Sequence, residues 1–515
     1  MSLRLSADPE ELKSKFAALK TRQDVADLLE IDLAHLNYHL YISPRSTRYT
    51  IFEIPKRSGG TRKITTPVTA LKIIQQKLNQ VLQEVYEPRP SVHSFISNHS
   101  ILSNAKTHVG RKWVLNIDLK DFFPSITFPR VRGLFIAKPY EIPPPAATVL
   151  AQICCFEDKL PQGTPTSPIV SNMICAKLDN ELYRLARKYR CRYTRYADDI
   201  TFSISESDFP SALAKIDSQG QLKVGDELNG IIHKNWFEVN PDKVRLRRSN
   251  LRQEVTGLTV NDFNKSGRPN VKRQYVRQIR AMLHAWERDG LENAEKEFLE
   301  RHDKKHRAPF KKPPSLIQIL NGKIGFLGMV IGKDNPVYLR YYRQFKRLCL
   351  LKMYQDFEKS KDPKQRGYLL QGLLNMMFKL YEISAIPSFT RNENGEQIDG
   401  GFEIDGWQYL VECRWRKKLA DIGELDGLNG KVYRSGKSAR GFFLSINGWS
   451  DNVPGLMKQN PDKACILMDG DDLQGILRDR INLREFIKAK IQHLSYKTEP
   501  CYGAEEYLSD HPMPH

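Results

Sequence analysis

The sequence predicts a two-part chain, a larger α+β part followed by a smaller α/β part, divided near Asp362. Three observations predict it. In RYTRYADDITFS, Arg192 to Ser203, two β-rich runs meet at an Ala-Asp-Asp turn, and a short apolar strand ending at Asp118 lies 80 residues before Asp198. Residues 363–515 carry 20 Lys+Arg against 21 Asp+Glu, so the whole basic excess, 60 against 39, belongs to the first 362 residues. In GEQIDGGFEIDGWQYLVECRW, Gly395 to Trp415, an Asp-Gly pair between alternating runs signals a separate hairpin.

At 515 residues the chain is too long for one domain. Its net charge of +20 and pI near 9.4 call for a polyanionic partner, nucleic acid or an anionic membrane. No apolar run approaches the roughly 18 residues of a membrane span. The charged start, MSLRLSADPEELKSKF, lacks a signal peptide's apolar core, so a cytoplasmic location is expected. Eight scattered cysteines without a C-x-x-C pair fit reduced thiols.

In WVLNIDLKDFFPSI the strand runs from Trp113 to Ile117, with Asp118 at its end. Three carboxylates from Asp118, Asp198 and Asp199 gathered at one point would repel each other unless cations sat between them. Phosphoryl transfer uses such an arrangement, with two divalent ions roughly 4 Å apart, and hard oxygen ligands select Mg²⁺. Between the acidic segments lies LPQGTPTSPIVSNMICAKLD, Leu160 to Asp179, a glycine- and proline-marked loop running into an apolar helix.

These segments together resemble a reverse transcriptase. IDLKDFF matches the first catalytic motif, LPQGTPTSP the second, YADD the third, and GIIHKNWFEVNPDKVRL the fourth; FEIPKRSGGTRKITTP is similar to the fingers segment. The resemblance implies an α+β right-hand polymerase, with fingers over 1–110, palm over 111–260 and thumb over 261–360. It implies Mg²⁺ bound by Asp118, Asp198 and Asp199, and Lys243 protonating pyrophosphate. It makes Phe123 the gate against a ribose 2′-OH. Gln162 and Gly163 would line the nucleotide pocket, and Lys56 and Arg62 would neutralise the triphosphate.

Two more segments resemble hallmarks of bacterial retron enzymes: Asn104-Ala105 with His108 in SVHSFISNHSILSNAKTH, and Val255-Thr256-Gly257 in EVTGLTV. That resemblance implies copying of a structured non-coding RNA, primed from an internal 2′-OH, into branched multicopy single-stranded DNA. It also implies a role in anti-phage defence. Partners would be that RNA, its DNA product and dNTPs; a homo-oligomer is a further expectation. Asn104 and His108 would bind RNA. A group II intron-like or other defence-associated reverse transcriptase is the alternative; for the intron enzyme, no zinc-spaced cysteines accompany these motifs.

In RPNVKRQYVRQIRAMLHAW, Val276, Ile279, Leu283 and Trp286 form an apolar helical face, while Arg273, Arg277 and Arg280 recur on another face suited to phosphates. In VYLRYYRQFKRL, Tyr341, Tyr342 and Phe345 suit base stacking or a core equally.

On the last predicted hairpin, Leu410, Glu412 and Arg414 face one way and Val411, Cys413 and Trp415 the other, with Asp399 on the adjacent strand. An acid followed by Glu-x-basic resembles the PD-(D/E)xK restriction-endonuclease fold, in its Mrr-like branch. GFFLSINGW and ACILMDGDDLQGIL match further strands. The resemblance implies a restriction-endonuclease-like domain over 365–515 that acts on DNA, with Asp399 and Glu412 as metal ligands and Arg414 as the catalytic cation. Two departures stand out. Arg414 replaces the usual lysine and can orient water but not act as a base, and Gln371 stands where a helix glutamate is expected. The alternative is a domain that only binds nucleic acid or partners.

Overall fold

Alternating apolar residues in WVLNID and ITFSI become the two central strands of a four-stranded antiparallel sheet in the computed structural model, which describes residues 3–55, 59–261, 266–302, 314–360, 362–391, 395–459 and 465–512. Its order is Arg192–Tyr196, Asp199–Ile204, Trp113–Asp118, Arg245–Arg248. One apolar core joins Leu115 and Ile117 to Ile200 and Phe202, and to Leu178 and Leu182 of helix Ser167–Lys188. That helix starts on Ser167-Pro168, where proline costs no hydrogen bond, and ends on Arg187-Lys188, which suits its dipole. A separate hairpin, Tyr49–Pro55 with Thr61–Pro67, occupies the expected fingers segment.

The chain divides into two compact units, Met1–Arg273 and Gln274–His515. The expected division near Asp362 falls between helix Pro336–Glu358 and helix Pro363–Leu380. The thumb helices thus group with the C-terminal sheet, and the core explains why. Leu350 and Tyr354 share one apolar cluster with Leu370, Phe378, Phe402 and Phe442, and the Tyr354 ring stacks on Trp415 at 5.0 Å.

That second sheet has the order Ser384–Ile386, Gly400–Ile404, Trp407–Arg414, Ala439–Ser445, Cys465–Asp469. Its first two pairings are antiparallel and its last two parallel, so helices cover both faces. Val411, Cys413 and Trp415 enter one core while Leu410 packs against the other, the alternation expected from sequence.

In helix Arg273–Asp289, Ile279, Leu283 and Trp286 are buried, Val276 is half-buried, and Arg273, Arg277 and Arg280 are exposed. Tyr341 and Phe345 are buried, and Tyr342 stacks on Tyr338 at 5.4 Å. The first two are core residues, which removes them from base stacking. No helix among the described residues is long and apolar enough to cross a membrane, and all eight cysteines are free thiols.

Candidate functional site

Antiparallel pairing brings the first acidic strand end to the acidic turn. Asp118 lies directly across from Asp199, and the Leu119 N–H donates to the Asp198 carbonyl at 3.0 Å. All three aspartates line a cavity of about 800 Å³ together with Arg62, Lys243, Arg245, Arg247, Thr256 and Gly257. Lys243 Nζ lies 2.8 Å from Asp118 Oδ2. Sequence reasoning missed Arg245 and Arg247, although their i, i+2 spacing on one strand puts both on one face.

Burial and then the charge of Asp118 raise the Asp198 carboxyl above its ordinary value. Asp199 opens onto the cavity, yet surrounding protein, then Asp198 and Asp118, push its carboxyl up to about 7. Among the described residues no three acidic, cysteine or histidine side chains close into a ready cage. Asp118 adds to the raised pKa of both neighbours, and three carboxylates facing one space are a set of hard oxygen donors that fits a divalent cation. A measurable consequence concerns metal-free stability. The folded pKa of Asp199 exceeds its ordinary 3.8, so its contribution is present in acid and lost as pH rises through about 7. In EDTA, Asp199→Asn is expected to melt above the wild type at pH 8, with the gap closing toward pH 4; a pH-independent gap contradicts this.

The two-residue turn Ala197-Asp198 joins the acidic strands, and Ala197 takes a φ of 55°, left-handed backbone that a non-glycine residue adopts at a cost. A buried network holds it there. The Ala197 N–H donates to Ser94 Oγ at 2.7 Å, and Arg195 donates to the Ala197 carbonyl at 3.1 Å. Arg195, fully buried, also donates to both oxygens of Asp179, at 2.8 and 2.7 Å.

The two retron-like segments meet. Thr256 and Gly257 form a tight turn with φ of 46° and 83°; Thr256 Oγ1 donates to the Ile101 carbonyl at 3.2 Å and accepts from Asn104 Nδ2 at 3.5 Å. Asn104 and His108 are fully buried, which corrects their expected contact with RNA. His108 bridges Thr194 and Ser203 of the two hairpin strands at 2.7 Å each, and burial, then His93, lowers its pKa to about 3. It is a neutral cross-strand brace.

The Pro-Gln-Gly loop is tied to the fingers hairpin by the Thr65 N–H, which donates to the Gln162 carbonyl at 2.8 Å. Gly163 has a φ of 113°, and a Cβ there would meet Ile64 Cγ2 at 2.8 Å, so the position requires glycine. Gln162, Gly163 and Phe123 do not line the catalytic cavity; Phe123 is half-buried beside Phe122. Lys56 lies outside the described residues.

In the C-terminal unit Asp399, just before strand Gly400–Ile404, and Glu412 on strand Trp407–Arg414 are brought together, both buried. Asp399 Oδ2 accepts from the Cys413 N–H at 2.9 Å, and burial raises its pKa. The Arg414 guanidinium lies between the acids, paired with Glu412 and 3.4 Å from Asp399 Oδ2. Lys431, which sequence reasoning missed, holds the other Glu412 oxygen at 2.9 Å from helix Ile422–Tyr433. Nothing in its local pattern marks it, because the pairing depends on how that helix packs. Gln371 does line a cavity of about 410 Å³ with Asp399 and Arg414, the place expected for the helix acid. In this arrangement Arg414 and Lys431 neutralise Asp399 and Glu412, and Arg414 also lies 3.4 Å from Glu424.

Residues 54–260 match the family model for reverse transcriptase (RNA-dependent DNA polymerase). The chain is 37% identical to the retron Mx65 reverse transcriptase of Myxococcus xanthus over 52% of this chain and 62% of that protein, less than two thirds of its length. It is 32% identical to the retron Ec86 reverse transcriptase of Escherichia coli over 51% of this chain and 76% of that protein. The small subunit of the restriction endonuclease R.BspD6I covers 32% of the chain at 19% identity and a TM-score of 0.21, too low to bear on the fold of the C-terminal unit. The three aspartates lie within the matched segment, and on the match to the Escherichia coli enzyme the chain belongs to the retron reverse transcriptases.

Proposed function

We propose that the chain copies part of a structured non-coding RNA into single-stranded DNA, primed from a 2′-OH within that RNA, using dNTPs and Mg²⁺. The observation that carries this reading is the convergence of Asp118, Asp198 and Asp199 with Lys243 and Arg62 on one cavity. Asp118, Asp198 and Asp199 would hold the metal, which when bound activates the attacking hydroxyl and neutralises the triphosphate. Arg62 draws the triphosphate to the cavity. Lys243, already beside Asp118, stands ready to donate its proton to the departing pyrophosphate. Gln162 and Gly163 act through the fingers hairpin, which Thr65 ties to them, and Arg273, Arg277 and Arg280 contact RNA phosphates. DNA synthesis on a primed RNA template is expected with Mg²⁺ and absent with EDTA; synthesis in EDTA contradicts the reading.

The C-terminal domain is proposed as a nuclease-like effector of anti-phage defence in the cytoplasm, restrained until infection disturbs the complex. The closeness of Asp399, Glu412 and Arg414 supports it. Arg414 seated between the acids favours a second reading, in which the domain only binds nucleic acid or a partner. Glu412→Ala separates them: lost cellular toxicity with DNA synthesis retained supports the effector, and toxicity that survives removes it.

A further inference from the structure

Within the C-terminal unit, helices Arg273–Asp289 and Pro336–Glu358 and the segments around Glu382 and Arg484 line a second cavity, of about 980 Å³. Its four acids are already paired. Glu287 pairs with Arg347 and accepts from Gln344 at 2.8 Å; Asp479 lies 3.4 Å from Arg347. Glu382 pairs with Arg343, and Glu485 lies 3.9 Å from Lys488. The five lining arginines outnumber the four acids, and three of the five take no part in these pairs. Arg280 and Arg340 are exposed and form no ion pair among the described residues. The Arg484 guanidinium donates to the Glu382 carbonyl at 3.0 Å and forms no ion pair among the described residues.

Three guanidiniums without an ion pair among the described residues, on three separate segments facing one concave space, suit a partner with repeated negative charges. Guanidinium forks suit phosphate oxygens. Arg280 belongs both to this cavity and to the Arg273, Arg277, Arg280 stripe, so the two basic surfaces are continuous. The floor is rigid, because buried Arg347 ties Glu287 of the first helix to Asp479 and to the Leu477 carbonyl at 2.9 Å.

We propose that this groove holds the sugar–phosphate backbone of the bound RNA, with Arg340 and Arg484 gripping the strand that Arg280 enters. The C-terminal domain is then part of the RNA-binding surface. This rests on the reading of helix Arg273–Asp289 as RNA-facing.

The test uses the full chain and a fluorescein-labelled RNA hairpin in anisotropy titrations at several salt concentrations, comparing R277Q on the stripe with R340Q and R484Q in the groove. R340Q and R484Q are each expected to weaken binding about three- to tenfold and to lower the log–log salt slope by about 1. Groove variants that bind as wild type while R277Q weakens overturn the groove and leave the helix reading standing; three unaffected variants overturn both. If polyglutamate at matched charge displaces the RNA and R340Q abolishes polyglutamate binding alone, the groove takes an acidic protein segment and the proposal fails. Should R484Q melt below the wild type, R340Q, which removes no side-chain hydrogen bond or ion pair among the described residues, decides the matter.

Discussion

Asp198→Ala is expected to lower DNA synthesis by about a thousandfold or more, the scale on which loss of preorganised transition-state electrostatics acts. Asp118→Ala should match it, because Asp118 lies across the sheet from the same turn. Stability should move the opposite way. Asp198 carries a raised pKa from burial and from Asp118, so its removal relieves repulsion in the metal-free protein. A variant that loses activity while its melting temperature in EDTA holds or rises identifies a metal-binding carboxylate. Activity lost together with several degrees of stability would mark Asp198 as structural instead. Primer extension and melting on one preparation read both quantities.

The second large effect is expected behind the turn. Arg195 and Asp179 are fully buried, and Tyr193 Oη also donates to Asp179, at 2.7 Å. Removing one partner of a buried pair leaves an uncompensated charge in a low-dielectric interior and costs about 3–5 kcal/mol. Against a total stability of roughly 5–15 kcal/mol, Arg195→Met or Asp179→Leu alone should come close to unfolding the polymerase unit. The double variant removes both charges and should lose less than either single one. Arg195→Lys is no remedy, since one ammonium cannot reach both Asp179 oxygens, Asn172 and the Ala197 carbonyl. Urea denaturation of the four proteins checks this; single variants within about 1 kcal/mol of wild type would show that the network contributes little.

What was legible in the sequence followed from local chemistry. Asp118, Asp198 and Asp199 stood out because strand ends and tight turns are set by a few neighbouring residues, and three acids in one place have few uses. The apolar face of Ile279, Leu283 and Trp286 followed from helical period alone. What escaped depended on distant packing. In RYTRY, Arg195 looks like a solvated charge, and only the helix carrying Asp179 makes it the buried centre of a network. His108 was read as a nucleic-acid contact, although Thr194 and Ser203, 86 and 95 residues away, enclose it. Tyr341 and Phe345 could be surface or core until a second helix settled it. The grouping of the thumb helices with the C-terminal sheet rests on Leu350 and Tyr354, which show no distinctive pattern of their own. Lys431 and Arg414 closing on Glu412 is a charge arrangement that no spacing announces.

The central claim is that the aspartate-lined cavity joins DNA to an RNA that the protein itself carries. Sequencing of nucleic acid that co-purifies with the full chain, before and after RNase and debranching treatment, tests it most directly. Wild-type protein is expected to yield one discrete DNA species joined to one RNA through a 2′ linkage, and the Asp198→Ala protein the RNA alone. The same DNA recovered from both proteins, or no discrete DNA from either, would contradict the account.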